Sequence, residues 1–237
     1  MSNLKAQLKM HYLNSKKSFI IFWSIMLAVS ALGFAIALYL RSNGYSSNFS
    51  TNNISATVIF GAISSMVTYN ETFKYTLNMG CSRKNFVIGF MVYNIVLALV
   101  LSIIFNILMI NEYLIFKAMS FNANIFGYTT NSISIQHIWS NIMLNAVTIL
   151  AAAALFGLIA SIYYLKGMMY LFGIGAAIIV LFFFPGVRAA AFEAIIFIYN
   201  SFTGIISPFM LILYTLAFSL ACYGIIYPLA RISQVKR

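Results

Sequence analysis

The chain has 237 residues, of which 62% are hydrophobic and only 7% are charged, and its mean hydropathy is +0.94. Soluble domains carry about 25% charged residues, so this composition excludes a water-soluble globular protein and predicts one membrane domain over residues 1–237. The net charge of +11 comes from basic residues that flank apolar runs. That pattern is typical of membrane anchoring and topology signals, and it argues against a nucleic acid partner.

The N-terminal segment, residues 1–17, has apolar side chains at helical spacing. Leu4, Leu8 and Tyr12 recur every four residues, and lysines lie beside them. The pattern predicts a short amphipathic helix that rests on the inner leaflet of the membrane. A disordered basic tail is the alternative.

Six apolar runs follow, each close to the length that crosses a bilayer. Backbone polar groups must be paired within the hydrocarbon, and the runs lack the alternation of barrel strands, so all six are predicted to be helices. The predicted fold is therefore an all-α polytopic membrane protein. A cleavable signal peptide ending near Ala35–Ala37 is the alternative for the first run. The predicted spans are residues 19–40, 54–69, 86–110, 138–165, 168–184 and 205–229.

The distribution of basic residues predicts the orientation of these spans. With the N-terminus in the cytoplasm, only Arg41, Lys117 and Arg188 of the 14 basic residues fall outside. Because basic residues collect on the cytoplasmic side, both termini are predicted to be cytoplasmic, in a multi-pass protein of the plasma membrane.

Small residues recur at four-residue spacing in the fourth span, at Ala153, Gly157 and Ser161. Such faces let helix backbones approach closely. Packing within the chain is the main interpretation, and contact with a second copy is the alternative.

The predicted cytoplasmic connection between the second and third spans is unusually polar for this chain. Residues 72–79 are long enough for about two helical turns, with Phe73 and Leu77 on one face. Gly80 follows as a predicted C-terminal cap, and Ser82 as the N-cap of the third span. We therefore expect a short helix parallel to the membrane that shows Phe73 and Leu77 to the cytoplasm. The alternative is a connector whose charges only set topology.

Two connections are predicted to lie outside the cell. Residues 111–136 carry no catalytic pattern, and the role of this loop stays open. The connection at 186–204 contains an apolar segment, residues 189–198, that is too short to span and is predicted to be a re-entrant or interfacial helix. Its Glu193 either pairs with Arg188 or faces water.

Several kinds of chemistry lack the residues they require. The chain contains no Gly-Lys dipeptide, so it has no P-loop with which to bind and hydrolyse ATP itself. No catalytic or metal-binding constellation is found, and no cofactor is expected on this chain. The six spans contain no Asp, Glu, Lys or Arg, which argues against an ion-coupled carrier.

The cytoplasmic connection carries a family resemblance. At Glu71-Thr72-Phe73 and from Leu77 to Phe86, the chain reads ETF and LNMGCSRKNF. It resembles the permease subunits of type-2 ABC exporters from Gram-positive bacteria, including the small exporters of phenol-soluble modulins. The resemblance extends to the layout: an N-terminal amphipathic helix, six spans, and a re-entrant helix before the last span.

The resemblance implies a transporter with two cytoplasmic ABC ATPase subunits, which hold ATP and Mg, and a second permease, identical or paralogous. The helix between spans two and three would be the coupling helix that docks on the ATPase. The implied coupling residues are Phe73, Lys74, Leu77, Gly80, Arg83 and Lys84.

The resemblance also implies a substrate path between two permeases, lined by the second and fifth spans, and an outer gate near Arg188 and Glu193. Amphipathic or antimicrobial peptides are the implied substrates, and a lipid or drug fits as well. The implied path residues in the second span are Ser55, Thr57, Ser64, Ser65 and Thr68.

Two other functions remain open at this point. A partner-free secondary carrier would require an ionisable residue within a span. A membrane sensor or scaffold would require no substrate path.

Overall fold

The computed structural model describes residues 2–43, 53–118, 135–186, 188–189, 192–193, 196 and 208–233. Regular secondary structure within these residues is helical, without a strand. The principal helices are α1 (Ser2–Ser42), α2 (Ile54–Asn78), α3 (Arg83–Ala118), α4 (Ile135–Lys166), α5 (Met168–Phe182) and α6 (Pro208–Ile232).

Four of these helices contain stretches that are long and apolar enough to cross a membrane, which confirms the helical membrane class. The stretches are Gln7–Leu40, Arg83–Ile115, Ile138–Lys166 and Phe209–Ile232. The count of six spans stays a prediction, because α2 carries many polar residues and the described part of α5 is only 15 residues long.

The N-terminal segment does not form a separate helix. It is continuous with the first span in α1, which has 41 residues, because neither glycine nor proline interrupts the chain before Gly33. The buried face also differs from the prediction. Gln7 and His11 are buried whereas Tyr12 is exposed, since Gln7 Nε2 donates to the Phe86 carbonyl of α3 at 3.1 Å.

The predicted short helix between spans two and three is likewise absent as a separate element. Residues 72–78 are the last two turns of α2, which runs unbroken from Ile54 to Asn78. No helix-breaking residue lies between Gly61 and Gly80, so the helix of the second span continues past the predicted end of that span.

Helix α4 holds the bundle together, because it contacts α2, α3, α5 and α6. Two glycines bring the helices close. A Cβ on Gly61 of α2 would lie 2.7 Å from Ile149 Cγ2 of α4, and one on Gly157 of α4 would lie 2.9 Å from Phe90 Cε1 of α3. Packing of the small-residue face of α4 within the chain is therefore confirmed.

The two predicted external connections lie partly outside the described residues. Helix α3 continues to Ala118, and residues 119–134 and 197–207 are not described. Arg188 and Glu193 are both exposed. Most of the predicted re-entrant helix, residues 189–198, is also outside the described part, so that helix stays a prediction.

Candidate functional site

Phe73 lies in an aromatic cluster that joins three helices at the C-terminal end of α2. Its side chain is fully buried. Its ring centroid lies 5.3 Å from that of Tyr69, 4.9 Å from that of Phe86 in α3, and 4.8 Å from that of Tyr164 in α4. The prediction that Phe73 faces the cytoplasm is wrong, because the ring extends the buried stripe of α2.

The opposite face of the last turns of α2 is exposed and apolar. Tyr75 is 60% exposed and Met79 is 75% exposed, and their spacing of four residues places them on one side of the helix. Lys74 beside them is also exposed, while Leu77 is half-buried against the core. The exposed apolar face at this end of α2 therefore consists of Tyr75 and Met79, which sequence reasoning missed.

The turn after α2 is built as predicted. Gly80 has φ of 77°, a left-handed conformation that glycine adopts without a Cβ penalty. The Cys81 N–H donates to the Thr76 carbonyl at 3.1 Å and the Gly80 N–H to the Leu77 carbonyl at 3.0 Å, which is the Schellman arrangement. Ser82 Oγ accepts from the Asn85 N–H at 3.2 Å, so the N-cap of α3 is also confirmed.

Arg83 and Lys84 differ in their surroundings. The half-buried Arg83 guanidinium donates to the Arg231 carbonyl in the last turn of α6, where a cation also interacts favourably with the helix dipole. Arg83 thus fastens α3 to α6, whereas Lys84 is exposed. Of the predicted coupling residues, only Lys74, Gly80 and Lys84 are exposed.

A groove of about 1170 Å³ separates the last turns of α2 from the start of α1. The carboxylate of Glu71 accepts a hydrogen bond from Asn14 Nδ2 across this groove. The lining of the groove combines lysines, amides and apolar side chains: Gln7, Lys9, Met10, Leu13, Asn14, Asn70, Glu71, Thr72, Lys74, Tyr75, Thr76, Met79 and Cys81.

The predicted path residues do not share one face of α2. Thr57, Ser65 and Thr68 are buried, and Ser65 Oγ donates to the Ala153 carbonyl of α4 at 2.8 Å. These three hydroxyls therefore lie inside this chain rather than along a surface that could face a second permease.

Ser65 is also part of a polar contact that the sequence did not reveal. The buried Asn94 of α3 donates through Nδ2 to Ser65 Oγ at 3.1 Å. Since Ser65 donates onward to α4, the contact ties three helices together in the apolar bundle. The available signal was the position of Asn94 in an apolar run, because such a residue needs a polar partner in the bilayer.

Ser55 and Ser64 are the path residues that reach a surface. Ser55 is exposed and Ser64 is half-buried. Ser64 lines a narrow crevice of about 170 Å³ between α1 and α2. No group of three potential metal ligands comes together in the part of the chain that the structure describes.

Comparison with known proteins identifies no family for this chain. No protein-family model, curated protein or solved structure matches the chain.

Proposed function

We propose that the chain is the membrane-spanning permease subunit of an ATP-driven ABC exporter in the plasma membrane. The proposal combines the family resemblance of residues 71–86 with one observation. The last two turns of α2 have one buried face and one exposed face, and we call them the two-sided end of α2. One side, at Phe73, is packed into α3 and α4, and the other side, at Tyr75 and Met79, is open.

This two-sided end suits the transfer of motion from a partner. A partner that grips Tyr75 and Met79 and then moves would pull the same two turns that carry Phe73. Because packed aromatic rings resist compression, displacement of Phe73 would pass to Phe86 in α3 and Tyr164 in α4. The coupling surface is therefore Tyr75, Met79 and the exposed Lys74, with Gly80 shaping the turn that ends it.

ATP hydrolysis belongs to two copies of a separate cytoplasmic ATPase in this proposal, because the chain has no P-loop. A second permease, identical or paralogous, completes the transporter. Helix α5 offers a face for it, since a Cβ on Gly173 or Gly175 would meet nothing within 4 Å and small residues favour close helix contact.

The proposed substrate is an amphipathic or antimicrobial peptide, or another lipophilic molecule, that leaves from the inner leaflet. The spans lack charged residues, so a substrate that carries its own apolar face fits this membrane domain. Ser55 and Ser64 are the path residues that remain candidates, because their side chains are not fully buried.

The test is to purify the wild type and the Tyr75→Asp variant from native membranes in mild detergent and to measure how much ATPase co-purifies with each. Tyr12→Asp is the matched control, since Tyr12 is 63% exposed and Tyr75 is 60% exposed. Wild type and the control should retain a P-loop ATPase in stoichiometric amount, and Tyr75→Asp should lose it. Absence of an ATPase from the wild type, or equal retention by both variants, would count against the proposal.

A further inference from the structure

A continuous seam runs between α1 and α2. Its wide part is the groove beside the start of α1 and the end of α2, and its narrow part is the crevice that follows along both helices. Asn14 and Glu71 line both parts, so the two cavities adjoin. We call the groove and the crevice together the α1–α2 seam.

The two parts of the seam differ in chemistry. Lys9, Lys74 and a single acidic residue, Glu71, line the groove, so the charged side chains of the groove sum to a positive charge. Neither lysine forms an ion pair with a described residue. The groove also has apolar lining, at Met10, Leu13, Tyr75 and Met79.

The crevice is bordered by the apolar side chains of Phe60, Ile63 and Val67, with small hydroxyls on the side of α1. Ile63 and Val67 are half-exposed on the outer face of α2, where lipid tails would surround a spanning helix. A molecule that occupies the whole seam therefore needs an anionic head and an apolar chain.

We propose that the α1–α2 seam binds one anionic phospholipid, with its phosphate at Lys9 and Lys74 and an acyl chain along Ile63 and Val67. Basic pockets between spanning helices at the cytoplasmic surface are known to hold anionic headgroups. A cationic peptide is disfavoured, because two lysines and only one glutamate line the groove. The seam shares Lys74, Tyr75 and Met79 with the proposed coupling surface, so the lipid is tested on the chain without an ATPase.

The test is native mass spectrometry of the purified full chain, without an ATPase, titrated with phosphatidylglycerol or with phosphatidylcholine of the same acyl chains. Phosphatidylglycerol should be retained selectively. Lys9→Gln combined with Lys74→Gln should weaken the binding of phosphatidylglycerol about 30-fold, because each lysine near the membrane surface contributes about five- to sixfold in affinity. The matched control is Lys16→Gln combined with Lys17→Gln, which removes the same charge from exposed lysines outside the seam and should leave binding within about threefold.

A second pair of variants tests the acyl chain separately. Ile63→Asn should weaken phosphatidylglycerol binding about fivefold, through loss of apolar contact. Ile59→Asn, one turn away on the same helix and outside the crevice, should not.

Three results would overturn the proposal. The first is equal retention of the two lipids by the wild type. The second is an equal effect of the two lysine pairs, since that would reflect general surface charge. The third is equal weakening of phosphatidylglycerol binding by Ile63→Asn and Ile59→Asn, since the acyl chain would then not lie in the crevice.

Discussion

Truncation of Phe73 to alanine is expected to destabilise the membrane domain rather than only to release a partner. The ring makes three aromatic contacts, with centroids 4.8–5.3 Å apart, and each such pair contributes about 0.5–1.5 kcal/mol beyond area burial. Truncation of a buried Phe costs about 3–5 kcal/mol in soluble cores. Helices in lipid gain less from apolar burial, so we expect a loss of about 3 kcal/mol for Phe73→Ala.

The assay is the free energy of unfolding in mixed micelles, measured by titration with a denaturing detergent. Tyr75→Ala is the matched control two residues further along α2, and its exposed ring predicts a change within about 0.5 kcal/mol. A Phe73→Ala protein as stable as wild type would refute the buried cluster. So would an equal loss for Tyr75→Ala, because the two faces of α2 would then not differ in packing.

Three further predictions concern the bundle and its turn. Ser65→Ala should lower the free energy of unfolding by about 1 kcal/mol, because it removes two interhelical hydrogen bonds worth ~0.6 kcal/mol each. Ser219→Ala removes only a hydrogen bond within its own helix, so it should be near neutral in the same assay. Gly80→Ala should cost about 1 kcal/mol because of its positive φ, whereas Gly224→Ala, where a Cβ would meet nothing within 4 Å, should be neutral or stabilising. An impermeant thiol reagent should label the half-exposed Cys81 in inside-out vesicles and not in intact cells, and the reverse would refute the predicted orientation.

The sequence predicted the elements of this protein better than it predicted their faces. Long apolar runs indicated helices because the bilayer leaves few other ways to pair the backbone. Gly80 and Ser82 were predictable because caps depend on local backbone geometry and on short-range hydrogen bonds. Both features need no knowledge of neighbouring helices.

The faces depended on neighbours, and here the predictions failed. Phe73 was placed outside because residues 72–79 were treated as an isolated helix. Once α2 is continuous, Tyr69 and Phe73 extend the buried stripe that includes Gly61 and Ser65, and that stripe was visible at helical spacing in the sequence. The periodicity of the whole helix was thus a usable signal that a shorter window concealed.

The polar residues of the second span show a different limit. Ser and Thr in an apolar helix can line a path, bond to their own helix or bond to another helix. Which of these Ser65 does is decided by Asn94 and by the Ala153 carbonyl, and both belong to other helices. No local pattern identifies such partners, so a path and a packing interface look alike in the sequence.

Site-specific crosslinking tests the central claim most directly. A photoreactive amino acid at position 79, where Met79 is 75% exposed, is compared in native membranes with one at position 169, where Met169 is 89% exposed. The account predicts an adduct between position 79 and a P-loop ATPase, and none from position 169. No adduct at position 79, or adducts of equal yield at both positions, would contradict the claim that the exposed end of α2 is the coupling surface of a permease.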